Sequence, residues 1–141
     1  MEEMHYIGCF FAPEDVEAAM LTQPRQRLSR TILHPHVTFV YRPDTVPEAL
    51  FGLPVTVKAV GYGNDGENEG LLVEFSDLPE DLAPLAARIP VPHITLSVSE
   101  TGKPVNSRYL SFRSIDPFFL TGVFGGMDEA GAVRTFSGSH I

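Results

Sequence analysis

Apolar and polar positions along the chain alternate with two different periods, and the changes between them mark the elements. Residues 5–11 (HYIGCFF) form an aromatic and β-branched run of strand length, which predicts a buried strand. Pro13 then opens a helix. Glu14 and Asp15 fall in its first turn, where carboxylates suit the helix dipole, and Val16, Ala19 and Met20 share one face. Pro24 ends it, because proline disfavours helical backbone in the residue before it. Further strands are predicted over residues 36–41 (HVTFVY), 55–62, 71–75 (LLVEF), 93–98 (HITLSV), 118–124 and 132–136. Between them, Leu78, Leu82 and Leu85 lie at helical spacing within 78–88. Pro79 and Pro84 make that helix short or irregular.

The order of these elements repeats. A strand, a helix, a strand that begins with histidine and a further strand occur once before residue 64 and once after it. The strands at Val55 and Phe118 end alike, in Gly-Tyr-Gly (61–63) and Phe-Gly-Gly (124–126). The halves are offset by about 57 to 65 residues, which suggests internal pseudo-symmetry; a solenoid needs at least about three repeats. No linker or low-complexity tract divides the sequence. Its 141 residues suit one domain spanning 1–141, with lobes formed roughly by the repeats 4–63 and 70–136. That is enough chain to bury a core without disulfides or metal staples.

Charge narrows the choice of partner. With 18 acidic and 10 basic residues the formal charge is −8, which argues against duplex DNA as a ligand. Asp65, Glu67, Glu69, Glu74, Asp77, Glu80 and Asp81 crowd one stretch, and Arg25, Arg27 and Arg30 another. Solvated surface is the plain reading of both, yet a compact anion held by a few local cations fits the same balance. No apolar run approaches the roughly 18 residues of a spanning helix, so no membrane partner is expected. The acidic start (Met1-Glu2-Glu3-Met4) is unlike a secretory signal, and the single cysteine, Cys9, cannot form an internal disulfide. A cytoplasmic location is the expectation.

The second strand of each half begins with nearly the same words: Pro35-His36-Val37-Thr38-Phe39-Val40 and Pro92-His93-Ile94-Thr95-Leu96-Ser97. Side chains alternate along a strand, so His36 and Thr38 share one face while Val37 and Phe39 share the other. His93 and Thr95 stand in the same relation to Ile94 and Leu96. Each strand thus offers an imidazole and a hydroxyl opposite an apolar face. Halves related by a twofold would bring the two polar faces to one groove. Imidazole titrates near neutrality, so one ring can accept a proton from an attacking oxygen while the other donates to a leaving one. The threonine hydroxyls can donate to non-bridging phosphate oxygens, where charge develops. This scheme needs no metal and no cofactor.

Two His-x-Thr-hydrophobic motifs a half-domain apart resemble the signature of the 2H phosphoesterase superfamily. PHVTF (35–39) and PHITL (92–96) match it, including the proline before each histidine, and the order of elements extends the likeness over nearly the whole chain. The resemblance implies an α+β, two-lobed, pseudo-symmetric fold with antiparallel sheets lining a central groove and helices outside. It implies a metal-independent phosphodiesterase that opens 2′,3′-cyclic phosphates or cleaves 2′–5′ linkages, with His36 and His93 as the catalytic pair and Thr38 and Thr95 as phosphate binders. The expected substrate is a small nucleotide or an RNA terminus carrying a cyclic phosphate, and the expected state is a monomer. Compact phage-encoded members that degrade cyclic oligonucleotide signals, and a non-catalytic nucleotide-binding module, are the alternatives. Which histidine is acid and which base, and whether the reaction runs as hydrolysis or ligation, stay open.

Several other residues are candidates. The face of His93 and Thr95 continues through Ser97, and Lys103 and Arg108 lie on the loop beyond; Lys103 is the expected phosphate-binding cation, and Arg42, just past the first motif strand, its counterpart. Tyr6, Phe10, Tyr62 and Phe124 are aromatic candidates for stacking on a base, worth about 1–3 kcal/mol per base, with Tyr6 expected in the site. Tyr41 shares the Val37 face and is expected in the core. His34 makes a His-x-His pair with His36, but a metal triad would need a histidine where Thr38 stands, so no metal is expected. His5 and His140 are expected at the surface, and Cys9 is read as a small buried hydrophobe.

Overall fold

The computed structural model describes residues 4–135, and within them the apolar N-terminal run forms β1 (Met4–Phe10), burying Ile7 and Cys9. Helix α1 (Pro13–Met20) starts on its proline and buries Val16 and Met20. It stops short of Pro24 because its last turn tightens, with Leu21 N–H donating to the Ala18 carbonyl. The chain continues through β2 (Arg30–Thr31), β3 (His36–Tyr41), β4 (Pro54–Asn64), β5 (Asn68–Asp77), α2 (Ala83–Ala86), β6 (His93–Val98), β7 (Arg113–Asp128) and β8 (Val133–Arg134). Short 3₁₀ turns cover Glu48–Leu50, Glu80–Leu82 and Pro104–Tyr109.

The helix over 78–88, expected to be short or irregular, is a 3₁₀ turn followed by the single turn α2, with Pro84 near its start. Three elements differ from the sequence pattern. Strand β7 begins at Arg113, well before 118, because backbone pairing with β4 carries it through exposed positions that show no apolar alternation. Strand β2 has two exposed residues and exists only through its pairing with β6. The last predicted strand is reduced to β8; Phe136 and His140 lie outside the described residues.

All eight strands join one antiparallel sheet in the order β2-β6-β5-β4-β7-β1-β3, with β8 added to β7. The class is α+β, and hydrogen bonding makes a single sheet where separate sheets were expected. From β6 to β3 the strand order reads alike from both sides, with β2 added at the β6 edge. In sequence, β4 closes the first half, yet it pairs with β5 of the second; β7 closes the second half, yet it pairs with β1 of the first. The halves thus exchange their last strands and meet where β4 pairs with β7. Val37, Val55, Val57, Leu71, Ile94 and Phe124 are fully buried in one core. Among the described residues no helix is long and apolar enough to cross a membrane.

The histidine strands lie near opposite ends of this order, yet β3 and β6 come into contact. The segment before β3 draws them together. Arg30 pairs with Val98, Thr31 with Ser97, and Ile32 N–H donates to the Leu96 carbonyl at 3.0 Å. Continued in that register, the chain would set Pro35 opposite His93. Instead it crosses to β1, where His36 pairs with Phe10. Four residues of extended chain reach at most about 14 Å, so the start of β3 stays close to β6.

A charged hub holds this segment down. Glu69 is 0% exposed and accepts from Arg25 Nε (2.8 Å) and Nη2 (2.6 Å), from the Tyr62 hydroxyl (2.8 Å) and from the Ser97 hydroxyl (2.6 Å). The Tyr62 and Ser97 oxygens in turn accept the backbone N–H groups of Gln26 and Leu28. Arg27 pairs with Glu17, and Arg30 donates to the Ser99 and Gly102 carbonyls. The arginine cluster is therefore structural, and its guanidinium groups are committed.

Candidate active site

His36 and His93 stand in matching local settings. Each follows a proline, and each Nδ1 donates to the carbonyl two residues back: His36 to His34 at 2.7 Å, His93 to Val91 at 2.8 Å. A carbonyl only accepts, so Nδ1 carries the proton and Nε2 is left as a bare acceptor on both rings. The proline between donor and acceptor also contributes. Its own carbonyl receives an N–H from the neighbouring strand's side, Phe11 for Pro35 (2.9 Å) and Val73 for Pro92 (3.1 Å). Each histidine pairs with the residue just before that donor, Phe10 or Leu72.

The match extends to the threonines. Thr38 pairs with Gly8 and Thr95 with Gly70, and in each ladder a register shift falls directly before the glycine. A Cβ on Gly8 would lie 2.1 Å from the Val37 carbonyl oxygen, and one on Gly70 would lie 3.1 Å from that of Ile94. Both glycines let the preceding strand close onto the residue between histidine and threonine. Sequence reasoning missed this pair; glycine inside an apolar strand is the legible sign of such a close approach.

Both imidazoles are held neutral at neutral pH. Burial pushes His36 down to about 4, opposed by its bond to the His34 carbonyl and reinforced by the nearby charges of His93 and His34. Burial also lowers His93, with a further contribution from the Arg108 guanidinium. Contact between β3 and β6 brings the two histidine strands to one region, although 57 positions separate their histidines.

Around His36 the wall is aromatic. The Tyr6 ring stacks on the imidazole at 4.5 Å and 24°, and Phe10 lies 5.4 Å away. The Tyr6 hydroxyl is 3.4 Å from Nδ1, whose proton already points at His34. Burial pushes that phenol up to about 12, so it stays protonated. Thr38 is half-buried, and its hydroxyl makes no hydrogen bond among the described residues.

The second half differs. Thr95 is buried, and its Oγ1 bonds the Pro104 carbonyl (3.0 Å) and Ser107 Oγ (2.8 Å), so its one proton is committed to the loop above it. Ser97 faces the hub rather than a ligand: it is fully buried and its hydroxyl is used by Glu69 and Leu28. Lys103 is exposed at the head of the 3₁₀ turn, where its carbonyl accepts from Asn68. Arg42 lies past the far end of β3, about 20 Å of strand from His36, and pairs with Glu129 at 3.3 Å. Its φ of 48° marks the sharp turn there. Tyr41 is 58% exposed instead of buried, since β3 runs out of the core at its end.

Of the remaining candidates, Phe124 is core, and Tyr62 is buried as part of the hub. Cys9 is fully buried, and burial pushes its thiol up to about 12, which leaves it unreactive. Among the described residues no group of three histidine, cysteine or acidic side chains is placed to hold a metal. Concavities of about 660 Å³, between α1 and the start of β7, and about 450 Å³, beside Tyr62, are not lined by either histidine. The chain matches no protein-family model and no curated protein.

Proposed function

We propose that the protein is a two-histidine phosphodiesterase acting on a cyclic or 2′–5′ phosphodiester of a small nucleotide or RNA end, built on a two-lobed 2H-type frame. The observation that carries this reading is the duplicated setting of the imidazoles: both have Nδ1 tied to a backbone carbonyl and Nε2 bare. One Nε2 takes the proton of a water as its oxygen bonds to phosphorus. The other ring, protonated, gives its proton to the oxygen whose bond to phosphorus breaks. The net change is addition of one water, and the two rings exchange a proton before the next turnover. Because burial keeps both rings neutral, the acid's proton is taken up with the substrate: an anionic phosphate beside an imidazole favours its charged form.

Tyr6 and Phe10 beside His36 supply an aromatic wall suited to a base, and the net charge of −8 favours small ligands over structured RNA. The assay takes nucleoside 2′,3′-cyclic phosphates, 2′–5′ oligoadenylates and cyclic di- and trinucleotides, with chelator present. His36→Ala and His93→Ala should each lower kcat by about 10²- to 10⁴-fold. Inactivity on the whole panel, or full turnover by either variant, overturns the reading. Saturable binding of a ligand that stays intact would mark a binding module instead.

A further inference from the structure

Thr38 and Thr95 hold equivalent positions but are used differently. On β6, the Thr95 hydroxyl and Asn68 together fasten the 3₁₀ turn Pro104–Tyr109. Asn68 Nδ2 donates to the Lys103 carbonyl (2.7 Å) and to Ser107 Oγ (2.9 Å), and Asn68 and Ser107 are both buried. Thr95 bonds Pro104 and Ser107. The turn is therefore built directly over the residue that shares a face with His93. The residue after Ser107 is Arg108, which is exposed. Its guanidinium lies over the Tyr109 ring at 4.9 Å and donates from Nη2 to the Tyr109 hydroxyl at 2.9 Å.

We propose that Arg108 is the cation that binds the substrate's phosphate at the His93 end of the groove, and that Thr95 is a positioning residue that seats the Arg108 turn. The inference rests on the phosphodiesterase reading for the identity of the ligand, but its anion-binding content is separable from catalysis. Three observations support it. Arg108 has no carboxylate partner among the described residues, whereas Arg25 and Arg27 have one and Arg30 is bound to carbonyls. Bracing by Tyr109 lowers the entropy lost when the guanidinium meets an anion, and leaves a planar set of donors matched to phosphate. The turn that carries Arg108 packs against β6, the strand that begins at His93, and the guanidinium disfavours the protonated imidazole there. A phosphate between them screens that repulsion and lets His93 take up the proton.

The test uses the full chain and a nucleoside 2′-monophosphate as probe. Binding is followed by calorimetry, and the His93 ring by NMR titration. Arg108→Gln should weaken binding about tenfold or more and raise the apparent pKa of His93. Thr95→Val should weaken binding as well, and the double variant Thr95→Val/Arg108→Gln should bind no worse than Arg108→Gln alone. Thr38→Val combined with Arg108→Gln should instead add its own loss. If Arg108→Gln binds within twofold of the parent and the His93 titration does not move, or if the Thr95 and Arg108 effects add, the inference is wrong. Weakened binding in a protein that turns nothing over would sustain the anion site while removing the catalytic reading.

Discussion

Replacing Arg25 by methionine tests the hub that seats the segment leading into β3. Methionine keeps much of the apolar contact of the arginine stem but removes both charged donors from Glu69. The Glu69 carboxylate, 0% exposed, then keeps only the Tyr62 and Ser97 hydroxyls. Stranding one member of a buried ion pair costs about 3–5 kcal/mol. Total stability for a domain is about 5–15 kcal/mol, so the loss is a large share of it. For 141 residues the unfolding entropy near 60 °C is about 0.3 kcal/mol/K, which converts the loss to a fall in Tm of about 10–17 °C. Calorimetry and urea unfolding at constant m-value measure it. Arg25→Met/Glu69→Gln should recover at least about half of the loss, because the stranded charge goes with its partner. A loss under about 1 kcal/mol, the size expected of an exposed pair, would show that water solvates Glu69 and refute the reasoning.

Acidification gives a second test. In the folded chain His36 stays neutral down to about 4, against an ordinary value of 6.5, so between these values the unfolded state binds more protons. Its contribution is complete above pH about 6.5 and is lost as pH falls towards 4, with a ceiling of about 3 kcal/mol. The lowered His93 acts with the same sign. His36→Gln should flatten this part of the stability profile in urea titrations at pH 5 and 7; an unchanged slope would deny the burial of the ring. The two strand glycines should also rank by space. Gly8→Ala meets a backbone oxygen at 2.1 Å and should prevent folding or lower Tm far more than Gly70→Ala, whose nearest contact is 3.1 Å; the reverse order in thermal melts would refute the close-approach account.

The local setting of the two histidines was legible in the sequence because it spans only a few residues. Strand alternation puts His36 with Thr38 and His93 with Thr95, and the proline before each histidine bears on the carbonyl that fixes its tautomer. Those relations span only a few residues. The short, irregular helix at 78–88 was legible from its two prolines, whereas β7 was cut short because a strand paired along its length needs no apolar alternation at its exposed start.

What the sequence by itself determined, then, is the pair of amphipathic histidine strands and the apolar face each buries, since backbone geometry alone dictates which side chains share a face. Only the tertiary structure decided how equivalent residues are used. Thr95 is drawn under a turn by Ser107 and Asn68, Ser97 is drawn into the Glu69 hub, and Arg42 is carried away to pair with Glu129. These outcomes depend on hydrogen bonds and charges between residues distant in the chain. No local period encodes such partners.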